Sequence, residues 1–345
     1  MGSLPVIDIA PLAGDDPRAF RRAADQLGRA AREVGFFYIT NHGVSPDLIA
    51  RAYGAAEEFF ALPDEIKWRY YIGKSANHRG YVPFTDKGAY DDEDHRSYEA
   101  FDLAFELPRD DPDYLAGNLL LGPNVWPEST YFRETISTYY QAISGVGFRL
   151  CSALELHLGL ARGEMTSLMR KPIAQLRLLH YLHSRSSFVK KSVNMGAHTD
   201  YECLTLLHQR QKGLQILDSG NSWTDVPVMP ENYIVNIGDI MEAWSNGAFR
   251  ATPHRVLNLA PERFSMPYFV APDYHTLVKP FERLISPENP PKYESFLAGM
   301  HLERMLRRDF SYLRERKKDS LFPLPGSDLA DFRNPFENRI TALKS

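Results

Sequence analysis

His198 and Asp200 sit two residues apart at the start of an otherwise apolar stretch, Met-Gly-Ala-His-Thr-Asp-Tyr-Glu-Cys-Leu-Thr-Leu-Leu-His-Gln, residues 195–209. In an extended strand, residues i and i+2 share a face, so both polar groups are aimed at whatever that face covers. A third group, His254, opens a later apolar run in Phe-Arg-Ala-Thr-Pro-His-Arg-Val-Leu-Asn-Leu, residues 249–259. With eleven histidines in the chain, one alone means little; the combination carries the reading. Two neutral imidazoles and one hard carboxylate on rigid strands make a facial set that holds non-haem Fe(II) and leaves coordination positions open. Open positions let an organic cosubstrate and dioxygen bind side by side. Oxidation is the chemistry this implies, with no catalytic side chain needed beyond the metal centre.

Other polar residues nearby fit the ligand role less well. His208 has the parity of His198, but ten residues of straight strand would put it roughly 33 Å away. Glu202 lies about 7 Å along the strand from Asp200 and is either a substrate-facing group or a solvated strand end. Arg263 and Ser265 are again i and i+2, nine residues after His254. A guanidinium fork beside a hydroxyl suits a carboxylate, and a buried arginine needs such a partner. A zinc hydrolase would require a general base beside the metal, and none is evident. A catalytically inert binding barrel has no need of an intact triad.

The elements that must position these groups change character along the chain. Residues 16–35 place Phe20, Ala23, Ala24, Leu27, Ala30, Ala31 and Val34 on one helical stripe. A short apolar strand is expected over 35–43, and a helix over 45–62 with Ser45 as cap and Pro46 at its first position. From 72 to 96 the sequence is polar and glycine-punctuated, which predicts a loop with at most one short strand. Residues 127–160 form the strongest helical pattern, capped by Ser129 or Thr130 and long enough to back a sheet. Beyond about 174 short two-fold runs follow one another between Gly, Pro, Asn and Asp, the pattern of a sandwich or jelly roll. Residues 293–308 read as helix again. The expected class is α+β, with segments 1–126 (helical, with a strand and an active-site loop), 127–280 (the β core and its backing helix) and 281–345 (a helical extension) in one compact unit.

Composition excludes several functions. The 345-residue chain is 43% hydrophobic and 24% charged, with a net charge of -4, so no nucleic acid or membrane partner is expected. Two cysteines, Cys151 and Cys203, imply no disulfide framework. The N-terminus lacks a basic segment before an apolar run, and no apolar run is long enough to span a bilayer. A cytoplasmic protein with a small-molecule substrate is expected; its oligomeric state is left open.

His-Thr-Asp at 198–200, Thr-Pro-His-Arg-Val at 252–256 and Arg-Phe-Ser at 263–265 together resemble the isopenicillin N synthase-like family of Fe(II)- and 2-oxoglutarate-dependent dioxygenases. The likeness extends to Gly-Phe-Phe-Tyr-Ile-Thr-Asn-His-Gly-Val at 35–44 and to the segment 235–256. It implies a double-stranded β-helix (jelly roll) core with N-terminal and backing helices. Iron would be held by His198, Asp200 and His254, and the distal carboxylate of 2-oxoglutarate by Arg263 and Ser265. Tyr181 falls where the family has the second tyrosine of an Asn-Tyr-Tyr-Pro motif, although Leu179, His180 and Leu182 replace its neighbours. His42 would belong to a structural turn. Hydroxylation is the default outcome, with desaturation or ring closure on the same chemistry, in specialised metabolism. Halogenating relatives replace the carboxylate that Asp200 retains. The alternative is an isopenicillin N synthase-type oxidase, which carries a similar Arg-x-Ser without using 2-oxoglutarate. The polar segment 77–105 is expected to cover the barrel mouth, with His78, Arg79 and Tyr81 as candidate substrate contacts and Phe269 as a candidate lining residue. For Arg79 a bond to a substrate carboxylate and pairing with the acidic run 91–94 are equally open, and for Phe269 and Phe249 core packing competes with lining.

Overall fold

The computed structural model describes residues 4–84, 98–181, 193–257, 259, 262–316 and 336. Helix α1 (Pro17–Glu33) starts where Asp16 accepts a hydrogen bond from the Arg18 amide, and it buries Ala23, Ala24, Leu27, Ala30 and Ala31 along one stripe. Helix α2 (Pro46–Phe60) is capped by Ser45 on the Leu48 amide. Two single turns follow, α3 (Asp64–Lys67) and α4 (Pro112–Leu115). The long α5 (Thr130–His157) is capped by Ser129, whose hydroxyl takes the Phe132 amide. It packs on α1, on α2 and across the sheet. Gly147 lets it come close, since a Cβ there would stand 2.6 Å from Val270 Cγ2. Among the described residues no helix is long and apolar enough to cross a membrane.

Strands β1 (Val6–Asp8), β2 (Phe36–Thr40), β3 (Gly80–Val82), β4 (Tyr98–Ala104) and β5 (Gln175–Tyr181) precede the candidate ligands. Then come β6 (Val193–His198), β7 (Leu204–Gln209), β8 (Leu214–Leu217), β9 (Trp223–Asp225) and β10 (Tyr233–Ile237). A short α6 (Asp239–Trp244) leads to β11 (His254–Leu257) and β12 (Arg263–Val270). The major sheet has the order β1-β2-β10-β7-β12-β5-β4-β3, and the minor sheet β6-β11-β8-β9. Together they form the double-stranded β-helix, a jelly roll, with the cavity between its walls. The pair β13 (Leu277–Val278) and β14 (Phe296–Leu297) leads into α7 (Ala298–Asp309) and α8 (Ser311–Glu315).

Two expectations need correction. The stretch 195–209 is not one strand: β6 ends at His198 in the minor sheet, and β7 begins at Leu204 in the major sheet. The turn between them carries Asp200. Nor is all of 77–105 a loop. Tyr98–Ala104 is a strand buried at every position, beside β5 in the major sheet. Its polar residues found partners: Asp102 pairs with Arg177 and Glu99 with His180 across the sheet, and Glu99 also with Lys67 of α3. The acidic run 91–94 lies outside the described residues.

Candidate active site

His254 on β11 stands directly opposite His198 on β6 in the antiparallel register, with ring centroids 4.3 Å apart. Each ring is oriented from behind. His198 Nδ1 donates to the Gly196 carbonyl at 2.8 Å and His254 Nδ1 to the Thr252 carbonyl at 3.3 Å, which leaves both Nε2 lone pairs facing forward. Asp200 reaches the same point from the turn. Its Oδ2 accepts hydrogen bonds from Thr205 Oγ1 and, at 2.7 Å, from Asn236 Nδ2. Its Oδ1 remains open, 3.6 Å from both imidazole Nε2 atoms.

One ligand atom from each of the three residues lies within 4.8 Å of the others, and all three residues are buried. Two imidazole nitrogens and one carboxylate oxygen converging in this way are a donor set that suits a first-row divalent metal. Burial alone would raise the Asp200 carboxyl, but the two imidazoles and the Thr205 and Asn236 hydrogen bonds outweigh it and hold it below its ordinary value. His254 is pushed down to about 4, chiefly by burial and then by His198. Both shifts keep the groups in their metal-binding forms.

The turn is held close by a glycine. Gly238 donates its amide to the Cys203 carbonyl, and Asp239 donates to the Asp200 carbonyl at 2.8 Å. A Cβ on Gly238 would stand 2.3 Å from the Glu202 carbonyl oxygen and 3.0 Å from that of Asp200. Gly238→Ala is therefore expected to displace Asp200, costing about 1–3 kcal/mol of stability and at least about tenfold in iron affinity. Urea denaturation together with an iron titration checks this; unchanged iron affinity would mean that the turn yields without moving Asp200.

The cavity beside the triad runs to a second polar group. Arg263 on β12 is opposite Tyr181 on β5, and its guanidinium carbon sits 3.8 Å from the centre of the Tyr181 ring. Arg263 is buried, donates to the Leu257 carbonyl, and has its Nε buried without a partner. Among the described residues it has no acidic partner, and burial lowers its pKa. Ser265, two residues on, lines the same wall. A buried guanidinium with unused donors fits an incoming carboxylate.

The remaining sequence candidates divide. Phe269 lines the cavity, whereas Phe249 is fully buried and stacks on His157. His78, Arg79 and Tyr81 do not line it, so their reading as substrate contacts is corrected. Arg79 Nη1 and Nη2 donate to backbone carbonyls, those of Asn77 (2.8 Å), His78 (3.1 Å) and Leu120 (2.6 Å), while its Nε is buried without a partner. His78 Nδ1 is bonded to the Tyr312 hydroxyl, and the Tyr81 hydroxyl donates to Glu99. His42 has both ring nitrogens engaged in its turn, by the Glu231 carbonyl and the Val44 amide. Sequence reasoning missed Thr205, Asn236, Arg177 and Asp102 as site residues. The last three carry a signal, a polar residue inside an apolar strand pattern.

His208 lies off the site, bonded to the Tyr53 hydroxyl and the Pro230 carbonyl. Burial lowers it to about 4, as burial lowers His301 to about 3. Neutral in the fold, each takes up a proton on unfolding, where the ordinary value is about 6.5. Their stability contribution is therefore present above about pH 6.5 and is lost as pH falls towards the folded values. His208→Asn is expected to flatten the acid limb of stability by about 1.4 kcal/mol per pH unit between roughly pH 6 and 4.5. Urea midpoints across that range measure it, and an unaltered slope would show that His208 is not a buried neutral imidazole.

Two family models match the chain: residues 4–129 match one described as non-haem dioxygenase in morphine synthesis N-terminal, and residues 173–272 one described as 2OG-Fe(II) oxygenase superfamily. The chain is 32% identical to the 2-oxoglutarate-Fe(II) type oxidoreductase hxnY of Emericella nidulans over 84% of its own length and 85% of that protein's. The chain belongs to the 2-oxoglutarate- and Fe(II)-dependent oxygenases. Homoarginine-6-hydroxylase 2-ODD-C23.2 of Arabidopsis thaliana is 32% identical, with 90% of each chain covered. Among solved structures, a full-length Neurospora crassa protein in complex with alpha-KG (2-oxoglutarate) superposes with a TM-score of 0.75 at 25% identity, covering 87% of this chain and 94% of that one. This oxygenase is thus an oxidoreductase that uses Fe(II), 2-oxoglutarate and dioxygen on a small-molecule substrate. The relatives' names favour it over the oxidase type that dispenses with 2-oxoglutarate.

Proposed function

We propose that His198, Asp200 and His254 hold the iron of this oxygenase and that Arg263, flanked by Ser265 and Tyr181, holds the distal carboxylate of 2-oxoglutarate. One observation carries the reading: three converging ligand atoms share a cavity with a buried guanidinium that has no acidic partner among the described residues. Bound at the triad, Fe(II) supplies dioxygen activation coupled to decarboxylation of 2-oxoglutarate to succinate and carbon dioxide.

The chain's own residues position and exclude. Thr205 and Asn236 fix the Asp200 carboxylate so that only Oδ1 is offered forward. Arg263 sets the direction in which the cosubstrate lies, by a fork that accepts a carboxylate in one plane. Apolar walls at Leu179, Leu207, Leu214 and Val256 keep water from the reacting groups. Leu302, Leu306 and Phe310, on α7 and just past its end, complete the wall.

Hydroxylation is the default outcome, on a small metabolite of specialised metabolism. Homoarginine, for which one relative is named, and the 5-formyluracil bound in a second complex of the Neurospora crassa protein are both of that size. Two buried unpaired cysteines, Cys151 and Cys203, support a reducing cytoplasmic setting. Purified protein given Fe(II), 2-oxoglutarate and air is expected to release succinate slowly without substrate and not at all when either iron or 2-oxoglutarate is omitted. Release that is indifferent to iron would refute the proposal.

A further inference from the structure

Two charged groups in the cavity wall are used by neither the triad nor the carboxylate clamp. Arg177 lies on β5 four residues from Tyr181, about 13 Å along the strand, too far to share the carboxylate at Arg263. The register puts it directly opposite Asp102 on β4. Its Nε and Nη2 donate to the two Asp102 oxygens at 2.7 Å each. That fork fixes the guanidinium and neutralises it from behind; Nη1 takes no part in it, and Arg177 lines the cavity. The Phe310 ring centre is 5.5 Å from the guanidinium carbon, on the side closed by α7.

Glu202 faces the same space. It is 4% exposed; its carboxyl accepts from two backbone amides, its own and that of Tyr201, and burial and then the neighbouring Asp200 push it up to about 8 against the pull of the Arg177 guanidinium. Asp309, the other acid in this wall, is already engaged by the Tyr201 hydroxyl and Arg308. The end of the cavity under α7 therefore carries one anchored donor edge and one buried carboxyl with no side-chain hydrogen bond among the described residues. A buried carboxyl that makes no side-chain hydrogen bond is costly, and a donor that reaches its oxygen recovers part of that cost.

We propose that Arg177 and Glu202 are the substrate-reading pair, and that the substrate is a small nitrogen compound placing an N–H against Glu202 and a carbonyl or carboxylate oxygen against Arg177. This rests on the proposed function, since the metal and 2-oxoglutarate must occupy the rest of the cavity. A substrate lacking the N–H leaves Glu202 desolvated and unpaired, so selection acts by rejection as much as by attraction.

Anaerobic protein loaded with Fe(II) and 2-oxoglutarate is titrated with thymine and with nicotinamide, each against its N-alkylated counterpart, 1,3-dimethylthymine or N,N-diethylnicotinamide. Binding is read from the change in the visible band of the iron complex. At least one N–H compound is expected to bind about tenfold or more tightly than its alkylated partner. Glu202→Leu should reduce that preference to roughly threefold or less, and the same-shaped Glu202→Gln should lie between. The double replacement Arg177→Gln with Asp102→Asn, which leaves no unpaired charge, should weaken the same compound about tenfold or more. The visible band in each variant shows that the pocket is assembled. Equal binding of alkylated and parent compounds, a preference that survives Glu202→Leu, or no response to either parent compound overturns the pairing. Absence of the band in the unaltered protein would instead remove the proposed function, and this inference with it.

Discussion

Asp200→Ala is expected to reduce 2-oxoglutarate turnover at least about 10³-fold while the protein still folds. The size follows from the metal's role: Lewis-acid and activation effects amount to several kcal/mol, and about 4 kcal/mol is roughly 10³-fold in rate. Asp200 supplies the only carboxylate of the set and the only oxygen that faces both imidazoles. Its loss also leaves Thr205 and Asn236 without their acceptor, at about 1–3 kcal/mol for each buried group left unmade. His254→Ala should act similarly on turnover, because the opposing register leaves no other described imidazole near His198 to replace it. Iron content after gel filtration, the melting curve and succinate release separate loss of metal from loss of fold. A variant that keeps iron and full turnover would mean that the ligand set is misassigned.

Arg263→Ala should spare iron binding and raise the KM for 2-oxoglutarate at least about 30-fold. Truncating one partner of a buried, hydrogen-bonded charge pair costs about 2–5 kcal/mol, and each 1.4 kcal/mol is tenfold. Arg263→Lys keeps the charge but loses the planar fork and the stacking on Tyr181, so it should fall between the two. Steady-state kinetics in 2-oxoglutarate at saturating iron gives the answer. If KM is unchanged in Arg263→Ala, the distal carboxylate lies elsewhere.

The ligand set was legible because its residue types are few and its chemistry exacting. His198, Asp200 and His254 stand out before any fold is known. Strand parity, however, is the wrong physical reason for two of them. His198 and Asp200 do not share the face of a continuous strand; the chain changes sheets at 199–203, and Gly238 together with Thr205 and Asn236 brings the carboxylate round. Gly238 and Asn236 are far from Asp200 in sequence; Asn236 shows only as a polar residue in an apolar run, and nothing local announces Gly238.

β4 was hidden for a related reason. Tyr-Glu-Ala-Phe-Asp-Leu-Ala shows acids where a buried strand should show apolar residues, and the partners Arg177, Lys67, His180 and Tyr81 make them tolerable inside. The error over Arg79 is the mirror image. A polar run suggested a ligand-facing loop, whereas the guanidinium is buried away from the cavity and donates to the backbone carbonyls of Asn77, His78 and Leu120. Sequence spacing identified the groups that do chemistry. It could not show which charged residues reach the cavity, and that distinction separates Arg79 from Arg177.

The central claim is that one cavity holds iron at the triad and 2-oxoglutarate between the triad and Arg263. The most direct test is to titrate metal-free protein with Fe(II) and then with 2-oxoglutarate, excluding dioxygen, while watching for the visible charge-transfer band of a chelated complex. The account predicts a band that saturates at one equivalent of each in the unaltered protein and does not form in Asp200→Ala or His254→Ala. Iron that binds without producing the band when 2-oxoglutarate is added, or a band that persists in Asp200→Ala, would contradict it.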